Sequence, residues 1–465
     1  MNQRDFINSV RRPYPRPAKF FFDRPQLSRR QLLQFLGGGV TATTLAGRLH
    51  AGEAIAAERL APISRARQVI FILLTGAPSH VDTFDFKQTP DTPMDLMKPE
   101  TIGGTVFPVG LMPKIGAQLG DLVIIRSAQS WALQHNLAQA WAQIARNPAA
   151  VLGDIAPNAG SIVAIEKQKE RKPSDIFPTF LGLNAGDMIG PGYLSSQYAP
   201  LKISPATNGL PDTAHPDGQA RFDTKFALLT QVDTPLRTNS PVSLDFEDYG
   251  AFYTSGKNMM FNPTVDTAFR FTADESARYG SSGFGNACLV AQKVLKANSG
   301  TRYIQINFGG WDHHQDIYDT AQATRLPGLT RMLDNGFAQM VTDLKANGLF
   351  NETLVVMMGE FGRTPGPITS QDGRDHFLQQ FIVFAGAGIR GGRTIGQTNA
   401  TGSAATEFGW SGNRYIKPED AEATIYSALG IDWTTVRYDD PFGRGFEYVY
   451  GANDGKHGPI HELWA

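Results

Sequence analysis

The chain has 465 residues, 41% apolar and 19% charged, enough to bury one large core or two ordinary ones and too apolar for a disordered chain. A net charge of −1 argues against nucleic-acid binding as the main business, because phosphate affinity comes from clustered Lys and Arg. The single cysteine, Cys288, excludes a disulfide framework and any Cys-rich zinc or iron–sulfur site, and the apolar helical spacing of Asn286–Ala291 predicts a small buried core residue there.

In chain order, a basic leader comes first. Arg11, Arg12, Arg16, Lys19 and Arg24 precede Ser28-Arg29-Arg30-Gln31-Leu32-Leu33 and a soft apolar stretch from Phe35 to Ala46, the pattern of a twin-arginine export signal. About a dozen apolar residues are too few for a membrane span, which needs about 20. Residues 1–60 are therefore read as a leader addressed to the twin-arginine export machinery, either cleaved at a small-residue site near Ala54–Ala56 or retained as an N-terminal anchor. Residues 61–465 are read as the exported domain, periplasmic or extracellular, with no stable transmembrane span.

Val69–Leu74 is a continuous apolar run stopped by Thr75-Gly76-Ala77-Pro78, a buried first strand. Further strands are predicted at Leu122–Ile125, Tyr303–Asn307, Leu354–Met358 and Phe381–Ala385, and helices at 136–146, 287–297, 329–346 and 418–429. Buried strands alternating with amphipathic helices predict an α/β fold, a mainly parallel sheet flanked by helices. Residues 189–285 carry Pro, Gly, Asn and Asp, then helical patterns with little strand signal, and are read as a loop-rich helical insertion or cap over the strand ends. Gly386–Gly391 matches a dinucleotide-binding pattern, but no helix comes after it, which predicts a β-turn.

Two strand ends carry the chemistry. Gly309-Gly310-Trp311-Asp312-His313-His314 follows one, and Gly359-Glu360-Phe361-Gly362-Arg363-Thr364-Pro365 with Gly373-Arg374-Asp375-His376 follows the other. Open α/β sheets deliver ligands at the C-terminal ends of their strands, and Asp, Glu and His there point to a metal site. Asp312 and His314, at i and i+2, face the same way if the segment is extended, with His313 turned elsewhere. His376 joins them if the Gly-rich segment from Gly362 to Gly373 returns the chain.

These segments, with Thr75-Gly76-Ala77-Pro78-Ser79-His80-Val81-Asp82-Thr83-Phe84-Asp85-Phe86-Lys87, resemble the exported bacterial family called domain of unknown function 1501, over about Arg67 to the C-terminus. That family is related to the alkaline phosphatase and sulfatase superfamily, so the resemblance implies an alkaline-phosphatase-like α/β core and a metal-dependent hydrolase ancestry. It implies Asp312 and His314 as ligands of one metal, with Glu360 where the superfamily uses an Asp-His pair and His376 as the late His ligand. Gly76-Ala77 stands where the superfamily has a first-strand Asp, which leaves His80 or Asp82 as displaced substitutes, and Phe361 replaces a further ligand. The implied cofactor is a divalent ion: zinc, manganese, calcium or magnesium.

After the second strand, where the superfamily places its nucleophile, the chain offers Ser130, and His135 as ligand, general acid or helix cap. Arg363 and Arg374 are candidates for bidentate recognition of phosphate or sulfate, or else salt-bridge partners of Glu360 and Asp375. The expected activity is hydrolysis of a phosphate or sulfate ester of a small molecule or glycan, with Asp375 near the ligands. The alternative is a noncatalytic exported binding protein that keeps the fold. No G-x-S-x-G, Walker A or H-E-x-x-H segment occurs.

Overall fold

The computed structural model describes residues 61–186, 188–237 and 243–465; the expected leader lies outside them. The sheet strands are β1 (Gln68–Thr75), β2 (Leu122–Gln129), β3 (Phe180–Leu183), β4 (Leu201–Ile203), β5 (Tyr303–Gly309), β6 (Thr353–Gly359), β7 (Gln379–Gly386) and β8 (Arg393–Ile395). They form one eight-stranded sheet in the order β8-β2-β7-β6-β1-β5-β3-β4. Every pairing is parallel except those of β7, which runs antiparallel to β6 and β2.

The helices are α1 (His135–Ile144), α2 (Ala159–Lys167), α3 (Gly218–Arg237), α4 (Ser243–Met259), α5 (Pro263–Phe269), α6 (Ala273–Arg278), α7 (Gly283–Ala297), α8 (Leu326–Ala346) and α9 (Pro418–Ala428). β1 shows why the strands read as unbroken apolar runs. Its Ile70, Ile72 and Leu74 pack into a core shared with α7 and α8, while Val69, Phe71 and Leu73 pack into a second core shared with α2 and α9. A strand covered on both faces has no polar side to show in its sequence. Cys288 lies buried in α7 within the first core, and burial pushes its thiol well up.

The mainly parallel sheet and its helical layers agree with the sequence. β3, β4 and β8 are additional to the expected strands, and each is only three or four residues long. β4 falls inside residues 189–285 and pairs with β3, so part of that region belongs to the sheet edge. Helices α3 to α6 also fall inside it, and α6 opens on a capping box in which Thr272 and Glu275 exchange side-chain and backbone hydrogen bonds. At the dinucleotide-like pattern, Ile389 N–H donates to Gly386 O, closing a turn between β7 and β8. Among the described residues no helix is long and apolar enough to cross a membrane.

Candidate metal centre

The parallel strands β1, β5 and β6 end side by side, since Thr75 is in register with Gly309 and Leu74 with Gly359. The residues just past each strand are thereby gathered at one edge: Gly76, then Gly310-Trp311-Asp312, then Glu360. Gly76 sits at φ +103°, and a Cβ there would lie 2.7 Å from the backbone nitrogens of Trp311 and Asp312. Only glycine lets the 311–312 backbone come in so close. Past β6, Gly362–Arg363 pairs antiparallel with His376–Phe377, which sets His376 opposite Arg363 and returns the chain to the site. The fourth contribution comes from α1, whose first residue is His135.

Three histidines converge on Asp312. Its Oδ1 lies 3.0 Å from His314 Nε2, 3.4 Å from His135 Nε2 and 3.6 Å from His376 Nε2. In each ring the other nitrogen is already committed to an acceptor. His135 Nδ1 donates to Glu360 Oε1 at 2.8 Å, His314 Nδ1 to Asp375 Oδ1 at 3.0 Å and His376 Nδ1 to the Leu133 carbonyl at 2.7 Å. A carboxylate or carbonyl oxygen can only accept, so the δ nitrogens carry protons and, in the neutral rings, the three Nε2 atoms turn lone pairs inward. His314 Nε2 and His376 Nε2 are 3.0 Å apart, and the buried His135 Nε2 has no hydrogen-bond partner. His135, Asp312 and His376 each offer one ligand atom, all within 4.8 Å of one another. Inward lone pairs around a carboxylate, with every outer nitrogen anchored, are what a bound cation requires.

The local charges agree. Glu360, fully buried, accepts on Oε1 from Gly76 N–H at 2.8 Å and Gln139 Nε2 at 3.0 Å as well as from His135. Its hydrogen bond holds the His135 imidazole above its ordinary value against the opposing effect of burial. Burial works to raise Asp312, but the hydrogen bond and charge of Arg363, with His135 and His314, hold it below the usual carboxylate range. Burial depresses His376, helped by the positive charge of Arg363, so its Nε2 lone pair is available near neutrality. A cluster that favours a proton on His135 for its negative charge favours a metal ion for the same reason.

A family model of proteins of unknown function, DUF1501, matches residues 66–454. The chain belongs to the DUF1501 family. No curated protein matches it. Among solved structures the DUF1501 chain is similar to the lipoteichoic acid synthase LtaP from Listeria monocytogenes, at 11% identity over 84% of this chain and 77% of that one, with a TM-score of 0.38. It is also similar to a protein in the alkaline phosphatase superfamily from Vibrio parahaemolyticus (7% identity, 80% and 69% covered, TM-score 0.38). A third is the C-terminal periplasmic domain of EcEptC from Escherichia coli in complex with Zn (11% identity, 85% and 96% covered, TM-score 0.38). Likeness at this level transfers neither residue roles nor an activity.

Among the other expected residues of the DUF1501 chain, both arginines are engaged within the protein, Arg363 against the cluster itself. Arg363 has no exposed side-chain surface, and all five of its N–H groups are engaged. Nε donates to Ala77 O, Nη1 to Arg374 O and His314 Nε2, and Nη2 to Gly76 O and Asp312 Oδ1, the last at 2.5 Å. Arg374 is equally spent: Nε and Nη2 go to Asp82, Nη2 also to Tyr318, and Nη1 to the carbonyls of Thr364 and Gly366. Neither has a donor left for a substrate oxyanion, so Arg363 positions Asp312 and Arg374 braces the loop that returns His376.

The oxygens of Asp82 accept from Ser79, Tyr318 and Arg374. His80 is buried with Nε2 on Gly402 O at 2.9 Å and its ring stacked on Phe377. Ser130 is buried and exchanges long hydrogen bonds of 3.2 and 3.4 Å with Ala132 in its own turn. His313 points away from the cluster to Thr324 O, and burial drives it down to about 4. Glu360 and Asp375 accept from His135 and His314, and the ion pairs of Arg363 and Arg374 go to Asp312 and Asp82 instead. Sequence reading misses the Leu133 carbonyl, the Gly76 amide and Gln139. Only Gln139 leaves a signal, at i+4 from His135 on one face of α1.

Proposed function

We propose that the chain is an exported, metal-dependent hydrolase of phosphate or sulfate esters. His135, Asp312 and His376 are the ligands, and His314 stands beside them. The observation that supports this most is the three inward Nε2 lone pairs around Asp312 Oδ1, each backed by an acceptor on the opposite ring nitrogen. An imidazole-rich set with one carboxylate suits zinc or another transition ion better than calcium or magnesium, which take oxygen ligands.

A divalent ion bound there would polarise an ester oxygen and lower the pKa of a bound water. The chain's own residues supply positioning and charge. Glu360 fixes the tautomer of His135, Asp375 that of His314, and Arg363 holds Asp312 in place while offsetting part of its charge. Among the described residues no Ser, Thr or Cys side chain bonds to the cluster, which favours water over a protein hydroxyl as the attacking group. The resemblance to the phosphatase and sulfatase superfamily and the twin-arginine-like leader agree with an extracytoplasmic ester hydrolase.

One observation favours the second reading, a noncatalytic binding protein: Arg363 and Arg374 have no free donor for an anion. Hydrolysis of p-nitrophenyl phosphate and p-nitrophenyl sulfate by metal-loaded wild type and Asp312→Asn separates the two. Activity that disappears in the variant supports the hydrolase. Metal bound without activity on either ester, or on a wider ester panel, leaves the binding protein.

A further inference from the structure

A cavity of about 560 Å³ opens beside the cluster, lined in part by Thr75, Gln139, Asn184, Asn307 and Phe308. It adjoins the metal centre through two elements. Thr75 ends β1 immediately before Gly76, and Gln139, which bonds Glu360, lies one turn after His135 on α1. No ionisable side chain among the described residues lines it.

The polar groups are carboxamides, each anchored at one end. Gln139 gives its Nε2 to Glu360 at 3.0 Å, and Asn184 gives its Nδ2 to Gly283 O at 2.9 Å. Asn307 takes a hydrogen bond on Oδ1 from Gln305 Nε2 at 3.0 Å. Gln305 is itself buried and set by Gln143 and Asn158, so the orientation of the Asn307 amide is dictated from behind. Among the described residues Gln139 Oε1, Asn184 Oδ1 and Asn307 Nδ2 have no protein partner, which leaves two acceptors and one donor fixed in place. Asn184 sits at φ +52°, a left-handed conformation that Asn tolerates better than most residues. Phe284 and Phe308, stacked with ring centroids 4.5 Å apart, and Met332 add apolar wall.

Mixed donors and acceptors without charge match hydroxyl groups, which are both, and an apolar wall matches a carbon ring. We propose that this cavity binds a neutral sugar unit and so holds the part of the substrate that carries the ester. The proposal rests on the hydrolase reading only for the chemistry at the adjoining metal centre.

The test is isothermal titration of full-chain protein with lactose, cellobiose and chitobiose, with glucuronate as the anionic comparison. At least one neutral sugar should bind with a millimolar or tighter Kd, and glucuronate should bind more weakly. Met332→Trp, which fills the cavity, and Asn307→Ala, which removes the free donor, should each weaken binding at least tenfold with unchanged metal content and melting temperature. No binding of any neutral sugar, tighter binding of glucuronate, or unaltered affinity in both variants would overturn it. Because the titration needs no turnover, loss of the hydrolase reading through absent activity would leave its result standing.

Discussion

His314 Nε2 and His376 Nε2 face each other at 3.0 Å although Asp375 and the Leu133 carbonyl hold the opposite nitrogens of the two rings. That contact needs a proton on one Nε2 or a cation beside the pair; Arg363 Nη1 lies 3.3 Å from His314 Nε2, and a metal ion would be a second such cation. An added transition ion should therefore stabilise the fold, since a ligand that binds only the native state adds RT ln(1 + [L]/Kd), about 2.7 kcal/mol at a hundredfold excess over Kd. Thermal melts with and without Zn²⁺ after chelation should differ by several degrees in wild type and coincide in His376→Ala.

Glu360→Gln should weaken metal binding without removing a ligand. The carboxylate lies behind His135 and accepts three hydrogen bonds on one oxygen. An amide in its place offers a poorer acceptor or turns a donor toward the ring, and losing such a partner commonly costs about 10–100-fold in affinity. Competition with a chromogenic chelator reads this directly; an unchanged Kd would remove Glu360 from the site.

The buried pair of Asp82 and Arg374 should matter for stability and not for metal chemistry. Both side chains have no exposed surface, and Arg374 Nε lies 2.7 Å from Asp82 Oδ2. Removing one partner leaves an uncompensated buried charge, so Asp82→Asn or Arg374→Met should cost about 3–5 kcal/mol in denaturant unfolding. Metal content per folded molecule should stay the same in Asp82→Asn, which leaves the bonds from Arg374 to the Thr364 and Gly366 carbonyls in place. Selective loss of metal from a variant of unchanged stability would instead return Asp82 to the ligand set.

The carboxyl of Glu422, inside α9, has neither oxygen hydrogen-bonded, and burial pushes it well above the ordinary 4.5. Folding therefore favours its protonated form. The stability that this group contributes is complete below about pH 4.5, the unfolded value, and is lost as pH rises through its higher native value. Glu422→Gln stays neutral at every pH, so its unfolding free energy should fall less steeply than that of wild type from weakly acidic to alkaline pH. Parallel profiles would show that Glu422 is not the source of the slope.

Much of this fold is legible in the sequence because of how the strands are covered. Runs such as Val69–Leu74 and Leu354–Met358 are apolar throughout since both faces are buried, and their terminal glycines mark where ligands are delivered. The antiparallel sense of β7 is not legible, because an apolar run carries no direction, and neither are three- and four-residue strands such as β3 and β4. At the site, Asp312, His314, Glu360 and His376 stand out by following strand ends. The true partners of Arg363 and Arg374 do not, since Ala77 and Arg374 contribute backbone carbonyls and Asp82 lies 292 residues from Arg374. Spacing shows which residues share an edge of the sheet; it does not show which nitrogen of a histidine faces inward.

Elemental analysis of purified, folded wild type beside His135→Ala and Asp312→Asn reads the metal centre itself. Wild type should hold about one equivalent of zinc or a similar transition ion, lost from both variants while their fold persists. Wild type that stays metal-free after reconstitution, or variants that keep the full equivalent, would contradict that expectation.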